Sequence, residues 1–533
     1  MWLAPVMLVL GAVLAGWLIW QPPSPDLAGQ VYRARLFSTA GFSIWDNSWY
    51  GGHYLPGYSL IFPPLASVLG VRPTGILAVV LSTLIFARLA RMLDGFRARP
   101  ATIFFALSAT GDLFIGRVTF ALGVTFGLAA VLACVRGKRL ACAICSVACA
   151  AASPVAAAFL VLAACADFSA NRAPARAVLL AAPGACLVGA LVLLFPEGGY
   201  EPFALSSLIA AVAATVAVLV LLPRRERLFR RLGWLYLASL LVAYVVRSPM
   251  GSNAVRFGIL FVPAVLAGRV GVADVQRAYV RVSRVLRAGA VPTQVLGRAP
   301  AAALLGLLTA AIVLWQVSGP IDQSVGAADD PAAHYAFYVP AIRFLESRSD
   351  GRAIRIEVPF TSDHWDATIL GSRFLLARGW ERQLDTRYDA LFYAPVLTAS
   401  AYEAWLLDNA VSYVALSTAR PDFSSVQEDA LIRGGLPFLR LVEQTANWQI
   451  YAVAAPRPLA SGPGSLTAVA ADGFTLQAQH AGSFTVRLHY TPYWTARTGA
   501  ASFSQAPGGW TRVVVDAPGT VTVDAGLPTD IDL

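Results

Sequence analysis

Long apolar runs separated by short polar breaks fill the chain up to about residue 317, and the pattern changes there. A helix needs roughly 17 to 25 mostly apolar residues to cross a hydrocarbon core about 30 Å thick. By that measure spans are expected near 2–20, 74–93, 100–115, 118–135, 139–152, 153–166, 176–195, 204–222, 232–247, 255–271 and 299–317, about eleven in all. The run 139–166 reads as two helices broken at Ser153-Pro154, because proline removes an amide donor and ends or kinks a helix.

Most connections are short, but the one over 21–73 is not. Connections of that length tend to carry function. Its first half, "SPDLAGQVYRARLF" at 24–37, places Leu27, Val31, Ala34 and Phe37 at helical spacing, as in a helix lying at the membrane interface. Asp26 stands at the start of that helix, where it could cap the first turn or accept a proton. The second half, "WDNSWYGGHYLPGYSLIFPPL", is rich in tryptophan and tyrosine, residues favoured at the interface and in sugar sites.

From residue 318 charges of both signs mix with short strand-like and helix-like stretches. "RAIRIEVPF" and "VSYVAL" read as strands and "AYEAWLLDNA" as a helix. A linker, "APRPLASGPG", marks a second shift. The expected domains are a transmembrane region over 1–317, an α/β domain over 318–456 and a small β-rich module over 464–533, whose stretches from 473 and 509 look like hairpins. The fold class is a polytopic α-helical membrane protein with a C-terminal α/β plus all-β region.

Composition agrees: the chain is 57% hydrophobic and only 14% charged. The net charge of +10 is not a nucleic-acid footprint, because the basic residues fall on alternate connections. Arg97 and Arg99, "RGKR" at 136–139, Arg172 and Arg176, "RRERLFRR" at 224–231 and Arg269 to Arg298 mark the cytoplasmic side by the positive-inside rule. The run 274–290 reads as an amphipathic helix on the inner leaflet. The first span lacks a basic n-region and a cleavage motif, so it is expected to be retained, with loop 21–73 and the C-terminal domains outside the cytoplasm. Usage rich in Ala, Arg and Val suggests a GC-rich bacterial genome, hence a bacterial plasma (inner) membrane. Cys142, Cys145 and Cys149 sit on one predicted helix and read as small packing side chains rather than as metal ligands.

Candidate chemistry follows from the loops. Asp46 and His53 could form an acid/base or orienting pair, with Tyr50 and Tyr54 beside them. Arg117, Arg247 and Arg256 flank outward helix ends, where a guanidinium suits a lipid phosphate, and Asp112 lies near the first of them. In the later domain "FTSDHWDATILGSRFLLARGWERQLD" gathers charged and aromatic residues, His364 and Trp365 among them, as an acceptor-binding face or a solvated surface with internal ion pairs.

A first span, a long outer loop with an early aspartate, many further spans and a C-terminal outer domain resemble the GT-C superfamily of membrane glycosyltransferases. "WYGGHYLPGYSLIFPPL", "LHYTPYWTA" and "GGWTRVVVDAPGTVTV" look more narrowly like the YfhO-like and 6-pyruvoyl-tetrahydropterin-synthase-related membrane proteins. The resemblance implies a polyprenyl-phosphate-linked sugar as donor, an envelope glycan or glycolipid as acceptor, and a first-loop acid, here Asp26, as base or acceptor-orienting group. No second acid stands directly beside Asp26 as in several members, so Asp46 or Asp112 would supply the partner, and a divalent cation is left open. No Walker loop, dinucleotide fingerprint, zincin motif or nucleophile elbow is present. The rival expectations are a secondary transporter or lipid flippase, and a non-catalytic envelope assembly protein with a sugar-binding outer domain.

Overall fold

A computed structural model describes residues 2–286 and 296–527. Two compact units emerge, one of Met1–Pro22, Tyr58–Leu194 and Tyr200–Gly326, the other of Pro23–Gly57, Phe195–Gly199 and Ala327–Leu533. The connection over 21–73 is therefore divided: Pro23–Gly57 folds with the C-terminal region, and the rest belongs to the helical unit.

The helical unit holds α1 (Ala4–Trp20), and α2 (Pro25–Ala40) follows it in the other unit. Then come α3 (Phe62–Leu69), α4 (Val71–Arg91), α5 (Ala98–Ile115), α6 (Val118–Val135), α7 (Arg139–Ala152), α8 (Pro154–Asn171), α9 (Pro174–Leu194), α10 (Leu205–Leu221), α11 (Arg227–Val245), α12 (Val255–Arg269), α13 (Val272–Leu286) and α14 (Arg298–Ala328). Helices stand at all eleven expected positions. Seven of them are long and apolar enough to cross a membrane, or up to eight crossings if the bent pair α1 and α2 is one span, which makes this a multi-pass membrane protein. The remaining helices are shorter or more polar: α1, α7 and α10 have 17, 14 and 17 residues, and α5 carries Arg99 and Asp112.

The break at Ser153-Pro154 is present. Ser153 caps α8 by accepting from the Ala156 amide, and Pro154 takes the first helical position, where its missing N–H costs nothing. The helices pack through small residues: Thr125 of α6 donates to the Ala78 carbonyl of α4 at 2.8 Å, and Ser146 of α7 to Leu180 of α9 at 2.8 Å. Cys142 and Cys149 are buried in α7, the latter with its sulfur against Gly127.

One expectation is corrected here, and another is met as far as the described residues reach. The last span does not stop at 317, since α14 runs on to Ala328 through Gly319-Pro320. Gly111 of α5 leaves room for the proline ring, whose Cγ would stand 3.0 Å from a Cβ at that position. The amphipathic run over 274–290 is helical as far as Leu286, and 287–290 lie outside the described residues.

In the second unit α15 (Tyr335–Ser349), β3 (Arg355–Glu357), α16 (Trp365–Ile369), β4 (Leu375–Leu376), α17 (Arg382–Tyr388), α18 (Ala399–Asp408), β5 (Val411–Ser417), α19 (Val426–Arg433), β6 (Leu439–Gln444) and β7 (Trp448–Val453) form an α/β layer. Its sheet has the order β4-β3-β5-β7-β6, parallel at β3 and antiparallel beyond β5. A short ribbon of β1 (Trp45–Asp46) and β2 (His53–Tyr54) precedes it in sequence.

The C-terminal module is a sandwich of two four-stranded sheets, and this revises the expected hairpins. β10 (Gly473–Ala478) pairs with β9 (Gly464–Ala470) and β15 (Gly519–Ala525), whereas β11 (Gly482–His489) pairs with β14 (Trp510–Val515) and β8 (Ala460–Ser461). The remaining strands are β12 (Trp494–Thr498) and β13 (Ala501–Gln505). β10 and β11 fall in different sheets, as do β14 and β15, because each has an apolar face to bury, Phe474 and Leu476 on β10 and Phe484, Val486 and Leu488 on β11.

Candidate functional site

Ser24 is extended and Pro25 opens α2, so Asp26 falls in its first turn, where a carboxylate suits the helix dipole. Asp26 is half-buried. The residues around it are tied to the later domain: the Trp365 indole donates to the Pro23 carbonyl at 3.1 Å, and the Thr368 hydroxyl to Ala28 at 2.7 Å. Trp380 lies against Gly29, where a Cβ would sit 3.6 Å from the indole. Arg33, one turn on, pairs with Glu381 and lies over Trp49 at 5.7 Å. Asp26 and Trp365, candidates from opposite ends of the sequence, thus belong to one corner of this unit, with His364 packed edge-on to Trp380 at 5.5 Å.

The β1–β2 ribbon sets Asp46 directly opposite His53, but no hydrogen bond joins the imidazole to the carboxylate. Asp46 is fully buried, with Oδ2 accepting from the Tyr32 hydroxyl at 2.7 Å and Oδ1 from the Ser48 amide at 3.0 Å. Burial raises its carboxyl above the ordinary range, against the bonds from Ser48 and Tyr32. His53 is equally enclosed and stacks on Trp49 at 5.8 Å; burial lowers its imidazole to about 4, so the ring is neutral. Tyr50 is buried with its hydroxyl donated to the Gly379 and Glu381 carbonyls, and Tyr54 bonds Thr491 at 2.9 Å. Both side chains are closed in, and the residues around the ribbon bond the α/β layer through Tyr50 and the sandwich through Asn47 and Tyr54. Gly51 and Gly52, at φ of +72° and +118°, make the turn a side chain would obstruct.

The charged stretch over 360–385 is not a solvated face either. Arg378 is buried between Phe360 and Phe392, binds Asp385 through two bonds of 3.0 and 2.9 Å, and reaches Glu428 at 3.1 Å. Arg382 binds Asp422 at 3.0 and 2.8 Å, and His364 Nε2 lies 3.5 Å from the same carboxylate. Burial alone would raise Asp422, but His364 and Arg382 more than offset it and hold the carboxyl far below the usual range. His364 has φ +56°, a left-handed conformation that turns the chain into α16 and aims Trp365 at Pro23.

The remaining candidates lie in the helical unit. Asp112 is in the last turn of α5, and its carbonyl accepts from the Arg117 amide at 2.7 Å. Arg117 leads into α6, and Arg256, at the start of α12, lies over Phe120 of α6 at 5.4 Å. These three gather at one end of the helices. Arg247 is held over Tyr200 at 5.3 Å.

Sequence reasoning did not single out Glu197 or Asp330. Glu197 accepts from the Tyr54 amide, and burial pushes its carboxyl up to about 8. Burial and the neighbouring Asp330 push Asp363 up to about 7. Carboxyls that hold a proton to near neutrality are suited to proton exchange. Their partners lie too far away in sequence to leave a local signal. Among the described residues no group of three or more His, Cys, Asp or Glu side chains could hold a metal ion. No protein-family model, curated protein or solved structure matches the chain.

Proposed function

We propose that the chain is a GT-C-type membrane glycosyltransferase of a bacterial inner membrane, moving a sugar from a polyprenyl-phosphate donor to an envelope glycan or glycolipid. In this reading all eleven apolar helices cross, and the C-terminal unit lies outside the cytoplasm. The supporting observation is the seating of α2 on the later domain, with Asp26 in its first turn and the indoles of Trp365 and Trp380 beside that helix. A carboxylate on a helix that aromatic rings also pack against suits a sugar, which presents hydroxyls at its edge and C–H groups on its face.

Asp26 takes the proton of the acceptor hydroxyl as its oxygen bonds the anomeric carbon, while the bond from that carbon to the phosphate oxygen breaks and the electron pair leaves with the polyprenyl phosphate. In the helical unit Arg117 and Arg256 have the chemistry to bind a lipid phosphate. Asp46 and His53 support the ribbon and take no part in proton transfer.

The test is transfer of labelled sugar from a panel of polyprenyl-phosphate donors by the purified protein. Asp26→Asn should lower transfer by about a hundredfold or more, the lower range for a lost general base. An Asp26→Asn protein that is folded and as active as the native chain refutes the role, and native protein inactive with every donor refutes the glycosyltransferase reading.

A further inference from the structure

At the end of the helical unit where α4 and α6 finish and α1 begins, these helices enclose a cleft of about 450 Å³. Its wall is graded. Leu81, Leu84 and Ile85 of α4 and Leu132 of α6 line one part, and Arg88, Arg91 and Arg136 the other, with Trp2 beside them. Positions 81, 84, 85, 88 and 91 share one face of α4, so the groove runs along the helix and ends in arginines.

From 81 to 91 the face is about 15 Å long at about 1.5 Å per residue, half of a hydrocarbon core of about 30 Å. That is the depth of one leaflet. All three arginines are exposed, and Arg91 lies over the Trp2 indole at 5.2 Å. Elsewhere in the helical unit Arg176, Arg225, Arg269 and Arg277 stand in ion pairs.

We propose that this cleft binds one anionic phospholipid of the cytoplasmic leaflet. An acyl chain lies along Leu81, Leu84 and Ile85, the phosphate sits among the three guanidinium groups, and Trp2 stands at headgroup level. Apolar lining gives depth, and convergent positive charge gives selectivity for an anionic head over a zwitterionic one. The inference is independent of the sugar-transfer reading, because neither Asp26 nor any residue of the second unit enters it.

The experiment titrates the lipid-depleted full-length protein in detergent with phosphatidylglycerol or phosphatidylcholine and counts bound lipid by native mass spectrometry. The native chain should prefer phosphatidylglycerol, and Arg88→Gln/Arg91→Gln/Arg136→Gln should reduce that preference roughly tenfold or more, given the contribution of each arginine near a membrane surface. Arg99→Gln/Arg139→Gln/Arg224→Gln removes the same charge outside the cleft and should leave the preference intact. Leu84→Trp, which fills the groove without altering charge, should also abolish tight binding. Equal losses in both triple variants would overturn the proposal in favour of diffuse surface charge. So would retention of the preference when the cleft arginines are removed, or binding of soluble glycerol phosphate as tight as that of the lipid.

Discussion

Replacing Arg378 by methionine removes the guanidinium bonded to both Asp385 and Glu428 and keeps much of the side-chain volume between Phe360 and Phe392. The loss is therefore electrostatic. Asp385 loses two bonds, of 3.0 and 2.9 Å, and Glu428 one of 3.1 Å, while Glu357, 3.9 Å from the same guanidinium, stays enclosed beside them. Leaving buried carboxyls without their cation costs about 3–5 kcal/mol. At about 2–4 °C per kcal/mol for a region of this size, the unit should melt roughly 6–20 °C earlier. The assay is thermal unfolding of the detergent-solubilised chain, followed by the fluorescence of its buried tryptophans. Acid should rescue the variant. Burial already raises Glu357 and Glu428, with Arg378 opposing. A carboxyl whose folded pKa is raised stabilises fully below its unfolded pKa, and that contribution is lost as pH rises through the folded value. Without Arg378 these pKa values rise further, so the deficit should be smaller at pH 5 than at pH 8. A midpoint change under about 2 °C at pH 8, well short of the expected shift, or a deficit that grows on acidification, would refute the reasoning.

Tyr32→Phe leaves Asp46 Oδ2 without its donor inside the fold and should cost about 1–3 kcal/mol in the same melt; an unchanged midpoint with altered transfer would instead make Asp46 a functional group. Gly52→Ala places a methyl 2.5 Å from the Trp45 ring at φ +118° and should destabilise by about 1–3 kcal/mol, whereas Gly57→Ala, with nothing within 4 Å, should be neutral to about 0.5 kcal/mol. Glu197, raised by burial to about 8, contributes stability below its ordinary pKa near 4.5 that is lost as pH rises toward 8. Glu197→Gln should therefore flatten the fall in melting temperature between about pH 5 and 8, and an identical pH profile would show that the carboxyl is ionised throughout.

Hydrophobic run length fixed where the helices of the first unit lie, because a helix in a bilayer satisfies its own backbone and must be apolar along its length. The helical period in 24–37, the break at Ser153-Pro154 and the strands at 355 and 411 were legible for the same local reason. Local pattern failed where a distant partner changed the outcome. The span expected to end at 317 continues through Pro320 to Ala328, with the proline ring packed where Gly111 leaves room, and strands expected as hairpins went to opposite sheets to bury their inner faces. The candidate site divides along the same line. Sequence alone marked Asp26, Asp46, His53, His364 and Trp365 as chemically capable, since residue type and loop position are local facts. Only the tertiary structure joined Trp365 to Pro23 and Arg33 to Glu381, and enclosed Asp46 and His53 beneath Tyr32 and Trp49. Those outcomes depend on partners up to 348 residues apart, whose burial and charge decide which acid can exchange a proton and which only holds the fold.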